Sequence, residues 1–483
     1  YNPDRLTSPL KRVGARGENK WEPISWDEAL LLVQKKLSEL REKHLSHELV
    51  FMDGDSRGLM STLIRRFMEA YGSPNHLRTN LNAHSAVSLM QGGSGEIAYD
   101  LSNANYVLSF GFDFLEAEGS PIWLARMYGQ LRQRANRTRA RIVQVDTRYS
   151  ITAAKADKWV PVNPGTEGAL ALGIAYVIVQ EELYDKEFIA KNTFGFNDWT
   201  DTTGVKHAGF TTLVMREYYP EAVSRITGVP IEDIIRVARG FGQERPSIAL
   251  SGKGAASYSN GFWNEAAIHA LNALVGNVGK PGGVVPQPEP PFTPQADIIH
   301  DEISKKGLSR RKISEAGLYT NEFPAQVLFL YHINPVFEFS NTKKIIDVIQ
   351  KIPFIVSFSS FMDETSEYAD VILPDHTYLE KWQDDTEVPG IGFPHVGIRK
   401  PVVDPLHNTR HTGDVLIRLA HALGGTVSTS FGHSDFLSLM KHSFRKMYES
   451  GSGSVVSEEF EESMMIYLEK RGWKVERAAS FDE

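Results

Sequence analysis

The sequence predicts an α/β protein whose parallel sheets are wrapped by helices, and three observations point there. Short apolar runs rich in β-forming residues recur along the chain: LVFMDG, YVLSFG, RIVQVDTR, IALSGKG, VLFLYHINP, FIVSFSS and DVILPDHT. Each run leads into Gly, Asn, Asp or Ser, the residues that turn a chain. A helical pattern then follows, and strand alternating with helix is the signature of crossovers that lay strands parallel.

The first helix opens with a capping box, Ser25 as N-cap and Glu28 three residues on, ahead of the apolar periodicity of residues 29–40. A second long helix is predicted over 166–178. PQPEPPFTPQ, residues 287–296, and the charged stretch through Arg311 read as a loop or interdomain excursion, and SGSGS at 450–454 as a flexible joint. No short-period internal repeat is present. In sheets of this kind ligands sit at the carboxyl ends of the strands, where loops and helix N-termini offer free N–H groups to anions, so the informative residues belong just after each strand.

A chain of 483 residues, 41% of them hydrophobic, buries a large core and splits into two or three domains. The formal net charge of −8, with no long Lys/Arg run, argues against nucleic acid as a partner. No apolar stretch approaches the ~20 residues that cross a bilayer, so no direct membrane span is expected and membrane association would need a partner. Residues 1–14 are polar and Pro-rich rather than signal-like. The sequence contains no cysteine, which excludes disulfides, thiolate zinc sites, Cys-ligated iron–sulfur clusters and a cysteine nucleophile within this chain.

Further blocks follow one another in a defined order. YNPDRLTSPLKRVG and KWEPISWDEAL come first, then GSPN at 72–75, HSAVS at 84–88, YVLSFGFDFLEA, VDTR at 145–148, ADKWVPVNPGTEGAL and GNVGKPGG at 276–283. YHINP at 331–335, FSSFMDETSEYADVILPDHTYLEKW and TRHTGDVL complete the set. In order and spacing these blocks resemble the central core of molybdopterin oxidoreductases of the dimethyl sulfoxide reductase superfamily, over residues 1–425. LPDHTYLEKW is most similar to the branch of polysulfide, thiosulfate and tetrathionate reductases and related subunits of quinone-linked respiratory complexes.

The resemblance implies two Rossmann-like doubly wound parallel-sheet domains, one inserted into the other. Residues 20–145 with 325–425 would form the discontinuous domain, 146–320 the insert and 426–483 a C-terminal extension. Each domain would hold one half of a bis-pterin cofactor, molybdopterin guanine dinucleotide with Mo or W, with no iron–sulfur cluster in this chain. The family's iron–sulfur domain and C-terminal barrel have no counterpart here, which reads as a fragment, a split subunit or a reduced member. The implied partners are an iron–sulfur electron-transfer subunit and a membrane quinone-interacting subunit, in the periplasm.

Carried over residue by residue, Asp146 would accept from ribose or guanine and Arg148 would lie near phosphate; the alternative is a turn Asp and a surface Arg. Gly111 and Gly252 would let the backbone approach a pyrophosphate, although GFDF at 111–114 stands where relatives carry Asn-Pro. Gly165, Thr166 and Glu167 match a loop in which the family has Asp for Glu167, whose other reading is a first-turn helix acid. Asn334 would sit beside pterin or phosphate, or form an Asx turn before Pro335. Asp363, Glu364 and Thr365, with Asp370, suit guanine recognition, or a solvated helix N-terminus. Ser88 falls at the position of the branch's metal-binding cysteine, as metal ligand and catalytic residue or as a lost ligand. His376 and Glu380, four apart, read as packing and hydrogen bonding.

Two functions compete. One is redox of a small inorganic or sulfur compound at the metal in respiratory electron transfer; the other is a cofactor-free scaffold in a quinone-linked complex. An ordinary nucleotide enzyme lacks support, because Gly252 and Gly254 have no third glycine and GNVGKPGG carries Pro where a P-loop needs Ser or Thr. A serine hydrolase fails likewise, since GGSGE lacks the closing glycine of a nucleophile elbow.

Overall fold

The computed structural model describes residues 2–54, 56–78, 85–91, 97–116, 118–133, 139–287, 290, 292–314, 317–320, 323–386 and 394–450. The chain forms two compact units, one made of Tyr1–Asn80, Pro290–Glu387 and Val396–Glu483, the other of Leu81–Glu289 and Val388–His395. Both are mixed α/β with a parallel sheet.

In the first unit a seven-stranded sheet runs in the order Trp21–Pro23, Leu10–Arg12, Val371–Ile372, Phe354–Ser357, Val327–Tyr331, Leu49–Asp53, His76–Arg78. The last five strands are parallel, and the two N-terminal ones join antiparallel at one edge. The apolar runs are continuous because both faces are covered. Phe51, Phe329 and Val356 enter one core with helices Trp26–Glu42, Gly58–Tyr71 and Thr412–Leu423. Val50, Met52, Leu328 and Ile355 point the other way, toward helix Thr342–Ile349. Ser25 caps its helix as expected, accepting from the Glu28 N–H at 3.1 Å.

In the second unit four parallel strands run in the order Ser247–Ser251, Tyr106–Phe110, Arg141–Asp146, Lys158–Pro161. Leu108, Val143 and Ala249 face one core, and Val107, Ile142 and Ile248 the other. The helix predicted over 166–178 spans Glu167–Gln180 and is buried along most of its length. At the edge strand Asn272, from helix Gly261–Leu274, accepts from Ala249 N at 2.8 Å and donates to Ala249 O at 2.9 Å. Asn277 donates to Ser247 O at 2.7 Å.

Three expectations need correction. Residues 106–110 pair with 141–146 in one sheet, so the second unit takes in Leu81–Glu289 with Val388–His395 rather than 146–320. The charged stretch after the Pro-rich segment holds helix Glu302–Leu308, which Asp301 caps by accepting from Ser304 N at 2.8 Å. Residues 426–450 are core rather than extension, since Phe436, Leu439, Met440 and Phe444 of helix Phe436–Ser450 pack into the first unit. The SGSGS joint lies beyond this helix, outside the described residues apart from its first serine.

A buried ion pair ties the N-terminal segment to the loop after the sheet. Arg5 Nη1 donates to Glu380 Oε1 at 2.8 Å and Nη2 to Oε2, with both side chains 3% exposed. Leu406 N and Thr377 N donate to the same carboxylate at 2.9 and 3.0 Å. Burial pushes the carboxyl up, but Arg5 and the two backbone donors outweigh it and hold it well below its ordinary value of 4.5. Glu380→Gln is expected to cost about 3–5 kcal/mol, read as a lower urea midpoint at unchanged slope, because it strands a buried guanidinium. A depressed folded-state pKa contributes stability above the ordinary value and loses it as pH falls, so the gap between wild type and variant should close in acid.

Candidate functional site

The order of the strands marks where each sheet should open a crevice. In the second unit the chain leaves strand Tyr106–Phe110 toward Arg141–Asp146 and Lys158–Pro161 on one side, and later returns on the other as Ser247–Ser251. Loops diverge at such a reversal and leave an opening at the carboxyl ends. Gly111 and Gly252 both lie there. Gly111 has φ +57°, which favours glycine. A Cβ on Gly252 would stand 2.2 Å from Gly111 O, so the two turns meet backbone to backbone.

Acidic side chains gather at the same ends. Asp146 is buried at its strand end, its Oδ1 accepting from Arg148 N and its Oδ2 from Gln144 Nε2, both at 3.3 Å. Burial, and then the neighbouring Asp146, push the Asp113 carboxyl up to about 6 despite its bond to Arg148. Arg148 also donates to Glu116 at 2.6 Å, so its guanidinium bridges two carboxylates. Glu167 is buried at the head of its helix, and desolvation holds its carboxyl above the ordinary range. Thr166 Oγ1 donates to Asn163 O at 2.7 Å, and Gly165 O accepts from Asn260 Nδ2 at 2.8 Å. The Tyr258 ring faces Gly165, and burial, then Glu167 and Asp146, raise its hydroxyl pKa. The result is a set of acceptors suited to a ligand bearing N–H and O–H donors.

In the first unit the reversal falls between Leu49–Asp53 and Val327–Tyr331. A Cβ on Gly54 would stand 1.7 Å from His332 O, so these turns also touch. A cavity of about 200 Å³ opens there, lined among others by Ser56, Arg57, His332, Asp385 and Arg399. Asp384, also in its wall, accepts from Leu59 N at 2.8 Å and caps helix Gly58–Tyr71. His411 is buried against the cavity, and desolvation pushes its pKa down to about 4. Nearby Asp375 is buried and bonded to Lys381, and its Oδ1 accepts from Thr412 N at 2.9 Å. Gln383 Oε1 and Asp385 Oδ1 are buried without a hydrogen-bond partner among the described residues.

Asn334, expected beside pterin or phosphate, meets the loop that carries Glu364 and Thr365. Its Nδ2 donates to Glu364 Oε2 at 2.6 Å, and its Oδ1 accepts from Thr365 N at 3.2 Å and Thr365 Oγ1 at 2.5 Å. Asp363 Oδ1 accepts from Ser366 N at 2.7 Å, closing a local turn. Asp370 stands apart from that cluster: Arg12, Arg16 and Ile355 N, the last at 2.8 Å, take up its carboxylate, so it fastens the sheet's N-terminal edge. Glu380 is held by Arg5, and His376 Nδ1 lies 2.7 Å from Thr409 Oγ1, in keeping with packing and hydrogen bonding. Ser88 lies in helix Ser85–Met90, and its side chain falls outside the described residues.

Sequence reasoning passed over Asp113, Tyr258, Arg57, His332 and the Gln383–Asp385 wall. GFDF was read for the amide it lacks rather than for the acid it carries. Asp113 yields a direct test. An acid with a raised folded-state pKa takes up a proton on folding, and its contribution to stability is lost as pH rises through about 6. Asp113→Asn should therefore gain in melting temperature relative to wild type as pH rises from about 4 to about 6, and the gain should level off above that, in a thermal-denaturation series.

Comparison with known proteins identifies the lineage. A family model described as molybdopterin oxidoreductase matches residues 5–422. The chain is 29% identical over 468 residues to the arsenate respiratory reductase molybdopterin-containing subunit ArrA of Shewanella sp., covering 85% of this chain and 53% of that protein. It is 30% identical over 469 residues to dimethyl sulfoxide reductase DmsA of Haemophilus influenzae, covering 88% and 58%. The chain thus spans little more than half the length of these relatives. The solved structure of acetylene hydratase from Pelobacter acetylenicus shares the fold, with a TM-score of 0.75 at 22% identity over 92% of this chain and 65% of that one. The chain belongs to the molybdopterin oxidoreductase family, within the dimethyl sulfoxide reductase superfamily that its ordered blocks resemble.

Proposed function

We propose that the two crevices of this molybdopterin oxidoreductase each hold one half of a bis(molybdopterin guanine dinucleotide) cofactor with Mo or W. On this reading the two units are Rossmann-like halves, one inserted into the other, and the protein reduces a small inorganic or sulfur oxo compound in respiratory electron transfer. The observation that carries it is the acceptor-rich crevice at the reversal of the second sheet, where Gly111, Asp113, Asp146, Glu167 and Gly252 converge. Guanine offers N1 and N2 donors and ribose offers hydroxyls, which carboxylates accept. The side-chain-free contact of Gly111 with Gly252 suits a pyrophosphate against backbone N–H groups. In the first unit, the unpartnered Gln383 Oε1 and Asp385 Oδ1 suit the donor edge of a pterin.

When bound, the metal–pterin group supplies a two-electron redox centre for moving an oxygen atom or sulfur. The chain's own residues position and insulate. Arg148 keeps Asp113 and Glu116 aligned and offsets their repulsion of a phosphate. Asn334 is pre-set by Glu364 and Thr365, and Asp363 by its turn. Ser88 or solvent would complete the metal's coordination. An iron–sulfur electron-transfer subunit and a membrane quinone-interacting subunit are the proposed partners, with a periplasmic location. In support, two relatives carry respiratory arsenate reductase and dimethyl sulfoxide reductase names, and no helix among the described residues is long and apolar enough to cross a membrane.

Elemental analysis combined with pterin fluorescence on the purified full assembly tests this. Stoichiometric Mo or W is expected, and a clean absence of pterin would leave the scaffold reading. Asp146→Ala and Asn334→Ala should each lower pterin retained on purification by about tenfold, the effect of losing one or two hydrogen bonds.

A further inference from the structure

A second cavity of the first unit lies at the open edge of its sheet, away from the strand reversal. It measures about 490 Å³, and its walls are edge strand His76–Arg78, helix Gly58–Tyr71 and the segment around 308–312. Arg65, Arg78 and Lys312 line it from these three elements. All three are exposed, and no carboxylate pairs with any of them among the described residues. Arg78 Nη2 donates to Ser56 O at 2.8 Å, which fixes its fork, and its other N–H groups meet no further acceptor among the described residues. His76 shares the wall, its Nε2 3.2 Å from Asp53 Oδ2. Glu69, the one acid in the lining, faces His300 at 3.5 Å. Arg310 and Arg311 extend the basic run beside Lys312.

This arrangement runs against the chain's composition, whose formal net charge is −8. Cations on a solvated face usually spread apart or take acidic neighbours. Here three converge on one concavity whose lining holds a single acid, Glu69, which faces His300, and an anion would relieve the remaining repulsion. Arg forks match phosphate oxygens, and Lys adds a mobile point charge. The volume exceeds that of a lone tetrahedral ion and falls in the range of small-ligand pockets, roughly 300–1,000 Å³. We propose that this edge cleft is a binding site for a small phosphate-bearing polyanion of about diphosphate size, separate from the strand-reversal crevices. Because Arg78 and His76 lean on Ser56 and Asp53, an anion held there also braces the loop that lines the first unit's crevice.

Isothermal titration of the full chain with inorganic pyrophosphate, against chloride at matched ionic strength, tests the site. Saturable binding is expected, weakened about tenfold or more by Arg65→Gln and again by Lys312→Gln. Lys312→Arg should retain it, and Asp146→Ala and Asn334→Ala should leave it unchanged. Both altered cations are exposed, so the variants should keep the wild-type melting temperature. No binding beyond chloride, or equal binding by the double variant, would overturn the proposal. So would polyglutamate binding where pyrophosphate does not, which would make the face a dock for an acidic protein.

Discussion

Both parallel sheets are covered on two faces, and the rest of the molecule follows from that constraint. With alternate residues of each strand committed to opposite cores, as Phe51 and Val50 are, polar chemistry gathers where a strand stops. Asp53, Asp146, Gly111 and Gly252 are all such endpoints. The chain order sets where neighbouring endpoints diverge, so the sites are consequences of topology before they are consequences of side chains.

The two units treat buried acids differently. In the first, Glu380 has Arg5, Asp375 has Lys381, Asp370 has Arg12 and Arg16, and Asp53 has His76. The arginine and lysine partners neutralise charge, and all four contacts brace the framework. In the second, burial and then the neighbouring Asp146 disfavour ionisation of Asp113, and Glu167 also feels Asp146. Such a cluster is held in place by the surrounding fold, and incoming donors or cations stabilise it.

Much of this was legible in the chain. The strands announced themselves by fully apolar runs, and Ser25 with Glu28 marked a helix start that the structure keeps. Gly111 and Gly252 could be placed after strands, whereas the contact of Asn334 with Glu364 and Thr365 came only with the fold. What stayed hidden depended on distant contacts. Asp370 looked like one more loop acid until Arg12 and Arg16 reached it from more than three hundred residues away in sequence. Tyr258 gains its role only by facing Gly165 across the second unit. Helix Glu302–Leu308 was masked by the Pro-rich segment before it, although Asp301 is an ordinary cap.

The side-chain amides of Asn272 and Asn277 occupy backbone groups of Ala249 and Ser247 that an edge strand would otherwise leave open. They act as a surrogate strand that cannot be extended. An exposed parallel edge is a template for β-pairing between molecules, and here that template is closed from within the fold. The second sheet is therefore closed to a neighbour along strand Ser247–Ser251, which leaves Lys158–Pro161 as its other edge.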